Sequence, residues 1–261
     1  MKLEALIFDL DGTILETLPD IVDAVNKALE ECGYSSRFDI ESGKTLLGHG
    51  ALYMAKKAFA STNGKEEDFE RFFKTMGKYY QLYKGRNTIP FKGLPEILNK
   101  IKDKGIKIFV ASNKPDHLLQ EIMDKTYGPG FFIKQVGQKP GYPVKPDPIL
   151  LNEIVNEFGL NKENCLYVGD SSVDIEFAHN ACIKSVLCKY GYDNYTDELV
   201  AKSEYSIDTV NELLEIVKSA AWLRRFLLIK SYIVHYLGLL MSGISPAFCN
   251  AIFVITGPVN S

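Results

Sequence analysis

The sequence predicts an α/β protein: a parallel sheet covered on both faces, with an all-helical insert placed directly after the first strand. Three observations carry that expectation. Short apolar runs at Leu3–Phe8, Ile106–Ala111, Cys165–Val168 and Ser185–Cys188 alternate with amphipathic stretches, the pattern of strands buried on both faces. Between Leu15 and about Tyr83 no such run occurs, and apolar residues recur at three and four instead. The first three runs end in Asp9, Ser112-Asn113 and Gly169-Asp170. Ligands of open parallel sheets bind at the carboxyl ends of strands, so these three ends are expected to meet at one site.

Taken in order, Leu3–Phe8 is too short for a signal-peptide core and runs straight into a carboxylate. Behind Pro19, the residues Ile21, Ala24, Val25, Ala28, Leu29 and Cys32 mark one face of a helix. Phe69, Phe72, Phe73, Met76, Tyr79, Tyr80 and Tyr83 form a second stripe, read as a helix–helix seam rather than an aromatic ligand platform. Linkers near Leu15–Thr17 and Gly85–Phe91 would let this block rock over the strand ends as a lid. Ile97, Leu98 and Ile101 then precede Gly105, a helix stop before the strand at Ile106. Pro148–Phe158 and Asp208–Val217 supply the later helices. The expected division is 1–14 with 86–218 for the α/β core, 15–85 for the helical cap and 219–261 for a hydrophobic tail.

With 261 residues, 30 basic and 33 acidic side chains, the chain has room for one large domain or a domain with an insert. A net charge of -3 offers nucleic acid no general electrostatic footing. Five cysteines without a CxxC pair fit a reducing, cytoplasmic setting. Residues 219–261 differ in texture, with three basic residues and no acidic one. Within them Tyr232–Ile255 approaches the roughly 20 residues of a bilayer span, but His235, Ser242, Ser245, Pro246 and Asn250 interrupt it. A membrane anchor, a packed element and a non-native extension remain open for this tail, as do a monomer and a homodimer for the whole.

The sharpest string is Asp9-Leu10-Asp11-Gly12-Thr13. Two carboxylates leaving a strand on one side repel, and a hard cation such as Mg²⁺ is their natural counter-charge. Asp170 adds a third carboxylate, with Asp174 four residues on, and an oxygen-only set disfavours zinc. A cation at a strand end implies a phosphoryl substrate. Ser112 and Asn113 offer a hydroxyl and an amide for its oxygens, and Lys145 a flexible ammonium. Lys44 and His49, in the Gly-rich stretch of the insert, are candidates for facing the non-phosphate end of a small anionic substrate. Gly43-Lys44-Thr45 is no P-loop, since Phe38 stands where that motif needs glycine.

Asp9-Leu10-Asp11-Gly12-Thr13, Ser112-Asn113, Lys145-Pro146 and Gly169-Asp170-Ser171-Ser172-Val173-Asp174, in that order, resemble the four motifs of the haloacid dehalogenase-like (HAD) superfamily. The resemblance covers about residues 1–218 and implies a Rossmann-like core with a subclass I cap. It further implies that Asp9 is a nucleophile forming an aspartyl-phosphate, and Asp11 the general acid/base. Thr13 and Ser112 would hold phosphate, Lys145 would neutralise it, and Asp9, the Asp11 carbonyl and Asp170 would bind Mg²⁺ with Asp174 in support. Asp11 argues against carbon–halogen cleavage. Strings such as Leu18-Pro19-Asp20, Pro90-Phe91-Lys92-Gly93 and Ala111-Ser112-Asn113-Lys114-Pro115 are similar to phosphoglycolate phosphatases. Pyrophosphatases, nucleotidases and sugar-phosphate enzymes of the same branch share them. The expected function is therefore a Mg²⁺-dependent phosphomonoesterase for a small phosphorylated metabolite, 2-phosphoglycolate first, against a catalytically silent regulatory or membrane-associated relative.

Overall fold

In the computed structural model, which describes residues 3–219, the chain opens with β1 (Ala5–Phe8), four apolar residues that are all buried. A tight turn leads to the two-residue β2 (Leu15–Glu16). Four helices follow: α1 (Leu18–Glu31), α2 (Ile40–Lys44), α3 (Ala51–Ala60) and α4 (Phe69–Tyr83). β3 (Ile89–Pro90) closes this insert. The chain then alternates through α5 (Leu94–Lys102), β4 (Lys107–Pro115), α6 (Asp116–Tyr127), β5 (Lys134–Gln138) and α7 (Ile149–Glu157). It continues with β6 (Cys165–Gly169), α8 (Ser172–Asn180), β7 (Lys184–Cys188), α9 (Asp197–Lys202) and β8 (Tyr205–Ile207), and residues 212–219 are helical.

Six strands pair in the order β5-β4-β1-β6-β7-β8, all parallel. Ala5 faces Lys107 on one side and Cys165 on the other. The three polar strand ends are therefore neighbours, as the sequence implies. Side chains alternate between the two faces of the sheet. Leu6, Phe8, Ile108, Val110, Leu166 and Val168 pack with α5 and α6, whereas Ala5, Ile7, Phe109, Ala111 and Tyr167 pack with α7 and α8. β5 and β8 had no strand signal in the sequence. Lys134-Gln-Val-Gly-Gln buries only Val136 and Gly137 fully, which an edge strand tolerates, and β8 has three residues.

The insert has a core of its own, built from Val25, Ala28, Leu29, Leu46, Ala55, Ala58, Phe72 and Met76. The aromatic stripe of α4 is in part the helix seam expected, with Phe72 fully buried and Phe59 packed edge-on against Phe69, while Phe73, Met76 and Tyr80 also face the cleft between insert and sheet. Both connections to the sheet run together, because Leu15 and Glu16 pair antiparallel with Pro90 and Ile89. Asp20, in the first turn of α1 and wholly buried, locks this junction. Its carboxylate accepts from the main-chain N–H groups of Arg86, Asn87 and Thr88 at 2.9–3.1 Å. It also accepts from Asn87 Nδ2 and from Thr88 Oγ1 at 2.7 Å.

No helix among the described residues is long and apolar enough to cross a membrane. The expected hydrophobic tail, Ser219 apart, lies outside the described residues. Replacing Asp20 by alanine strips a buried acceptor from several donors, each costing about 1–3 kcal/mol when left unsatisfied. Partial rehydration of the linker brings the expected loss to about 3 kcal/mol, read by urea denaturation. Trypsin should cut the variant faster at Arg86; unchanged stability and unchanged cutting would show that the clamp holds nothing.

Candidate active site

β1 delivers Asp9 to the C-terminal edge of the sheet, and the chain must reverse at once. The Leu10 carbonyl accepts from the N–H groups of Thr13, Ile14 and Leu15, and Gly12 takes φ +84°. A side chain there would meet Asp170 Oδ2 at 2.3 Å, so glycine is required by conformation and by space alike. This turn sets Asp9 and Asp11 on the same side, facing different partners.

Asp9 Oδ1 accepts from Lys145 Nζ at 2.6 Å. The same ammonium donates to Tyr167 Oη at 2.7 Å and Asp174 Oδ1 at 2.9 Å. Asp174 is the third residue of α8, and its other oxygen accepts from Ser171 N and Ser171 Oγ in a reciprocal helix cap. Gly169 leaves room for it, since a Cβ there would lie 2.4 Å from the Asp174 carboxyl carbon. Asp170 is held by the Tyr192 N–H at 2.8 Å and Thr13 Oγ1 at 3.1 Å. Carboxylate oxygens of Asp9, Asp170 and Asp174 lie within 4.8 Å of one another, all three residues buried. Asp174 has both oxygens engaged, one of them by Lys145, and does not line the cleft.

Burial sets the charges here. It raises the Asp9 carboxyl to about 6, against the lowering effect of Lys145 and with help from Asp174 and Asp11. Asp170 is pushed well above the usual carboxylate range by burial and then by Asp174 and Asp9. Burial alone would lower Lys145, but Asp174 and Asp9 outweigh it and the net direction is upward. Asp9 and Asp174 share one ammonium and Asp170 has none, and an all-oxygen set with this excess of acid suits a hard divalent cation.

Asp11 meets a cation that sequence reasoning missed. Lys114 Nζ donates to its two oxygens at 2.8 and 3.0 Å, and the lysine side chain is only 4% exposed. Asp11 raises Lys114 despite burial. The available signal was position: Lys114 stands two residues past Ser112 on β4, the spacing that returns a side chain to the same face. Tyr167 was missed as well. Its phenol, in an otherwise aliphatic strand, needs buried partners, and it has Lys145, Asp174 and the Ala111 carbonyl.

The other expected residues sit as follows. Ser112 is buried and lines the cleft. Asn113 lines the cleft; its Oδ1 accepts from Lys145 N at 2.8 Å and one of its two Nδ2 donors bonds the Gly48 carbonyl of the insert. Thr13 is fully buried, its hydroxyl donates to Asp170 and it does not line the cleft. Lys44 and His49 line the cleft, but the Lys44 ammonium is bonded to Glu41 at 2.6 Å and His49 packs on Tyr53. The cleft itself, about 1240 Å³, lies between the strand ends and the helical insert, with Asp9, Asp11, Lys114, Lys145 and Asp170 on its floor.

This arrangement defines a capped α/β enzyme with its ligand cleft at the strand ends. The chain belongs to the haloacid dehalogenase-like hydrolase family, whose model matches residues 6–188. A phosphoglycolate phosphatase of Pseudomonas syringae pv. tomato is 30% identical over 74% of this chain and 72% of its own length. One from Pasteurella multocida is 29% identical over 81% and 96%. The crystal structure of a predicted phosphoglycolate phosphatase from Haemophilus somnus superposes with a TM-score of 0.76, at 27% identity, covering 83% of this chain and 98% of that one. The chain is thus a hydrolase acting on phosphate esters.

The raised Asp9 carboxyl has a consequence for stability. The folded state keeps its proton up to about pH 6, while the unfolded chain releases it near 3.8. Folded protein therefore binds more protons in that window, and its stability falls as pH rises through it. Urea melts in EDTA between pH 4 and 6.5 should show the decline, and Asp9→Asn should make it shallower while leaving the part that Asp170 contributes. An identical slope in both proteins would reassign the titration.

Proposed function

We propose that the chain is a Mg²⁺-dependent phosphomonoesterase working through an aspartyl-phosphate on Asp9, with 2-phosphoglycolate as its leading substrate. One observation carries the reading: Asp9 and Asp11 leave the same turn and are held by different lysines. Two carboxylates in different surroundings are the requirement for a nucleophile beside an acid/base.

In this reading Lys145 holds Asp9 and screens the phosphoryl group as it approaches. Asp9 attacks phosphorus, the ester P–O bond breaks, and protonated Asp11 delivers its proton to the departing alkoxide. Asp11, now a carboxylate, takes a proton from water, whose oxygen attacks the phosphorus of the aspartyl-phosphate. Phosphate leaves, and Asp9 is restored. Ser112 at the floor of the cleft supplies a hydroxyl to a phosphoryl oxygen. Mg²⁺ would sit against Asp9 and Asp170, with the Asp11 carbonyl completing the protein's share, and would offset the phosphoryl charge.

The proposed units are a core of 1–14 and 86–218 and a cap of 15–85. The cleft is larger than a two-carbon ester fills, so closure of the cap about the paired linkers belongs to the same reading. Relatives named phosphoglycolate phosphatase support the choice of substrate.

Phosphate release from 2-phosphoglycolate, pyrophosphate, nucleoside monophosphates and sugar phosphates tests this directly. Activity should be greatest on 2-phosphoglycolate and vanish with EDTA. Asp9→Asn should lose at least about a thousandfold in kcat, and Asp11→Asn about a hundredfold or more. Activity that survives Asp9→Asn would overturn the covalent route, and a preference for another ester would replace the substrate.

A further inference from the structure

We propose that Lys114 and Tyr80 together form the subsite that selects a carboxylate on the leaving group, an inference that rests on the phosphatase reading and deepens it. Lys114 comes from the core strand β4 and Tyr80 from the cap helix α4, and both line the cleft.

The first observation is an incomplete bonding set. An ammonium has three N–H donors, and Lys114 gives two short bonds to the Asp11 oxygens. Its third donor makes no bond of good geometry among the described residues, although Tyr80 stands within reach of it. The second is an orphan: the Tyr80 hydroxyl is buried and has no hydrogen-bond partner among the described residues. Buried hydroxyls without partners are rare, because water has been given up and nothing replaces it. The Lys114 ammonium lies 5.0 Å from the centre of the Tyr80 ring. The Lys114 ammonium and the Tyr80 hydroxyl thus stand side by side, one from each half of the molecule, close enough that each shifts the other's titration.

Position identifies what they would bind. In the proposed reaction Asp11 must reach the leaving oxygen, and Lys114 Nζ lies within 3.0 Å of both Asp11 oxygens. A group on the carbon attached to that oxygen therefore arrives beside Lys114. Phosphate itself is placed at the other end, by Asp9, Ser112 and Lys145. Ser112 and Lys114 both line the cleft two residues apart on β4, so a short ester can reach the phosphate end and Lys114 at once. Charge and donor count both favour a carboxylate, which accepts from an ammonium and a phenol at once.

Other cations of the cleft are less suited. Lys44 is half-buried and Lys57, Lys74 and His117 are exposed, so water screens their charges, whereas Lys114 is buried. The cation facing the leaving group is then the buried Lys114 of the core. The cap contributes Tyr80, so the subsite is complete only where the two halves meet. A short α-phosphoryl carboxylate would bridge them, and a neutral ester of equal length would not.

The test uses the full chain with Mg²⁺ and two substrates of one skeleton: 2-phosphoglycolate and 2-hydroxyethyl phosphate, in which CH₂OH replaces the carboxylate. Wild-type protein should favour the carboxylate by about a hundredfold in kcat/KM. Tyr80→Phe, which removes only an oxygen, should raise KM for 2-phosphoglycolate and cut that preference about tenfold. Lys114→Met should nearly abolish the preference, and Lys114→Arg should restore part of it. Equal losses on both substrates in Tyr80→Phe and Lys114→Met would overturn the subsite and leave Lys114 only a support for Asp11. Hydrolysis of both esters by the wild type without preference would also overturn it while the phosphatase reading stands. Hydrolysis of neither, nor of the wider substrate panel, would remove the phosphatase reading and this inference with it.

Discussion

Lys145 carries its ammonium into a place with almost no water, and the neighbouring carboxylates of Asp9 and Asp174 are what offset the cost of taking it there. Each of the three groups would be unfavourable in that place alone. Together they tie the end of β1, the loop before α7 and the first turn of α8 to one point. Tyr167 adds a phenol from β6, fastened in turn to the end of β4 through the Ala111 carbonyl. The residues flanking this knot are selected by the space it leaves: glycine at 12 and 169, a reciprocal cap at Ser171 and Asp174, and an asparagine at 113 that pins the lysine's own main chain.

The second carboxylate pair, Asp11 with Lys114, repeats the motif in a different setting. It opens on the cleft, whereas Asp174 and Tyr167 lie behind it. Two residues apart in sequence, Asp9 and Asp11 thereby acquire different surroundings from the same turn. The helical insert shares in the arrangement through Tyr192. Its main-chain N–H holds Asp170, and its hydroxyl accepts from Thr17 N and Leu18 N at the start of α1. The acidic cluster and the root of the cap are thus joined through a single residue, while Asp20 fastens the other linker to the same helix.

Much of this was legible in the sequence because the central strands leave a strong local signal. Buried parallel strands read as unbroken apolar runs, and Asp9, Ser112 and Asp170 stand where those runs stop. Helices α1 and α4 were legible for a related reason, since one apolar stripe each must face the other. What escaped was set by tertiary packing. Lys134–Gln138 forms an edge strand whose pairing comes from the backbone of β4, not from its own composition. Lys114 and Tyr167 look like an ordinary surface cation and an ordinary core aromatic until the strand ends are brought side by side. Thr13 and Asn113 carry a ligand role only by their place in motifs, and nothing in the sequence marks the bonds their side chains make to Asp170, Lys145 N and Gly48. A motif names which residues gather; only packing decides which way each one faces.

The strand order has a kinetic side. β1 is made first, yet its partners are β4, about a hundred residues later, and β6, about a hundred and sixty later. Until β6 has been synthesised, the four buried residues of β1 keep one bare edge. Closing such long loops before any contact rewards them makes sheet assembly slow. The helical insert, whose core is entirely local to residues 25–76, has no such wait. A growing chain would therefore carry a folded cap ahead of an unfinished sheet, and the exposed β1 segment is where chaperones or aggregation would compete with folding.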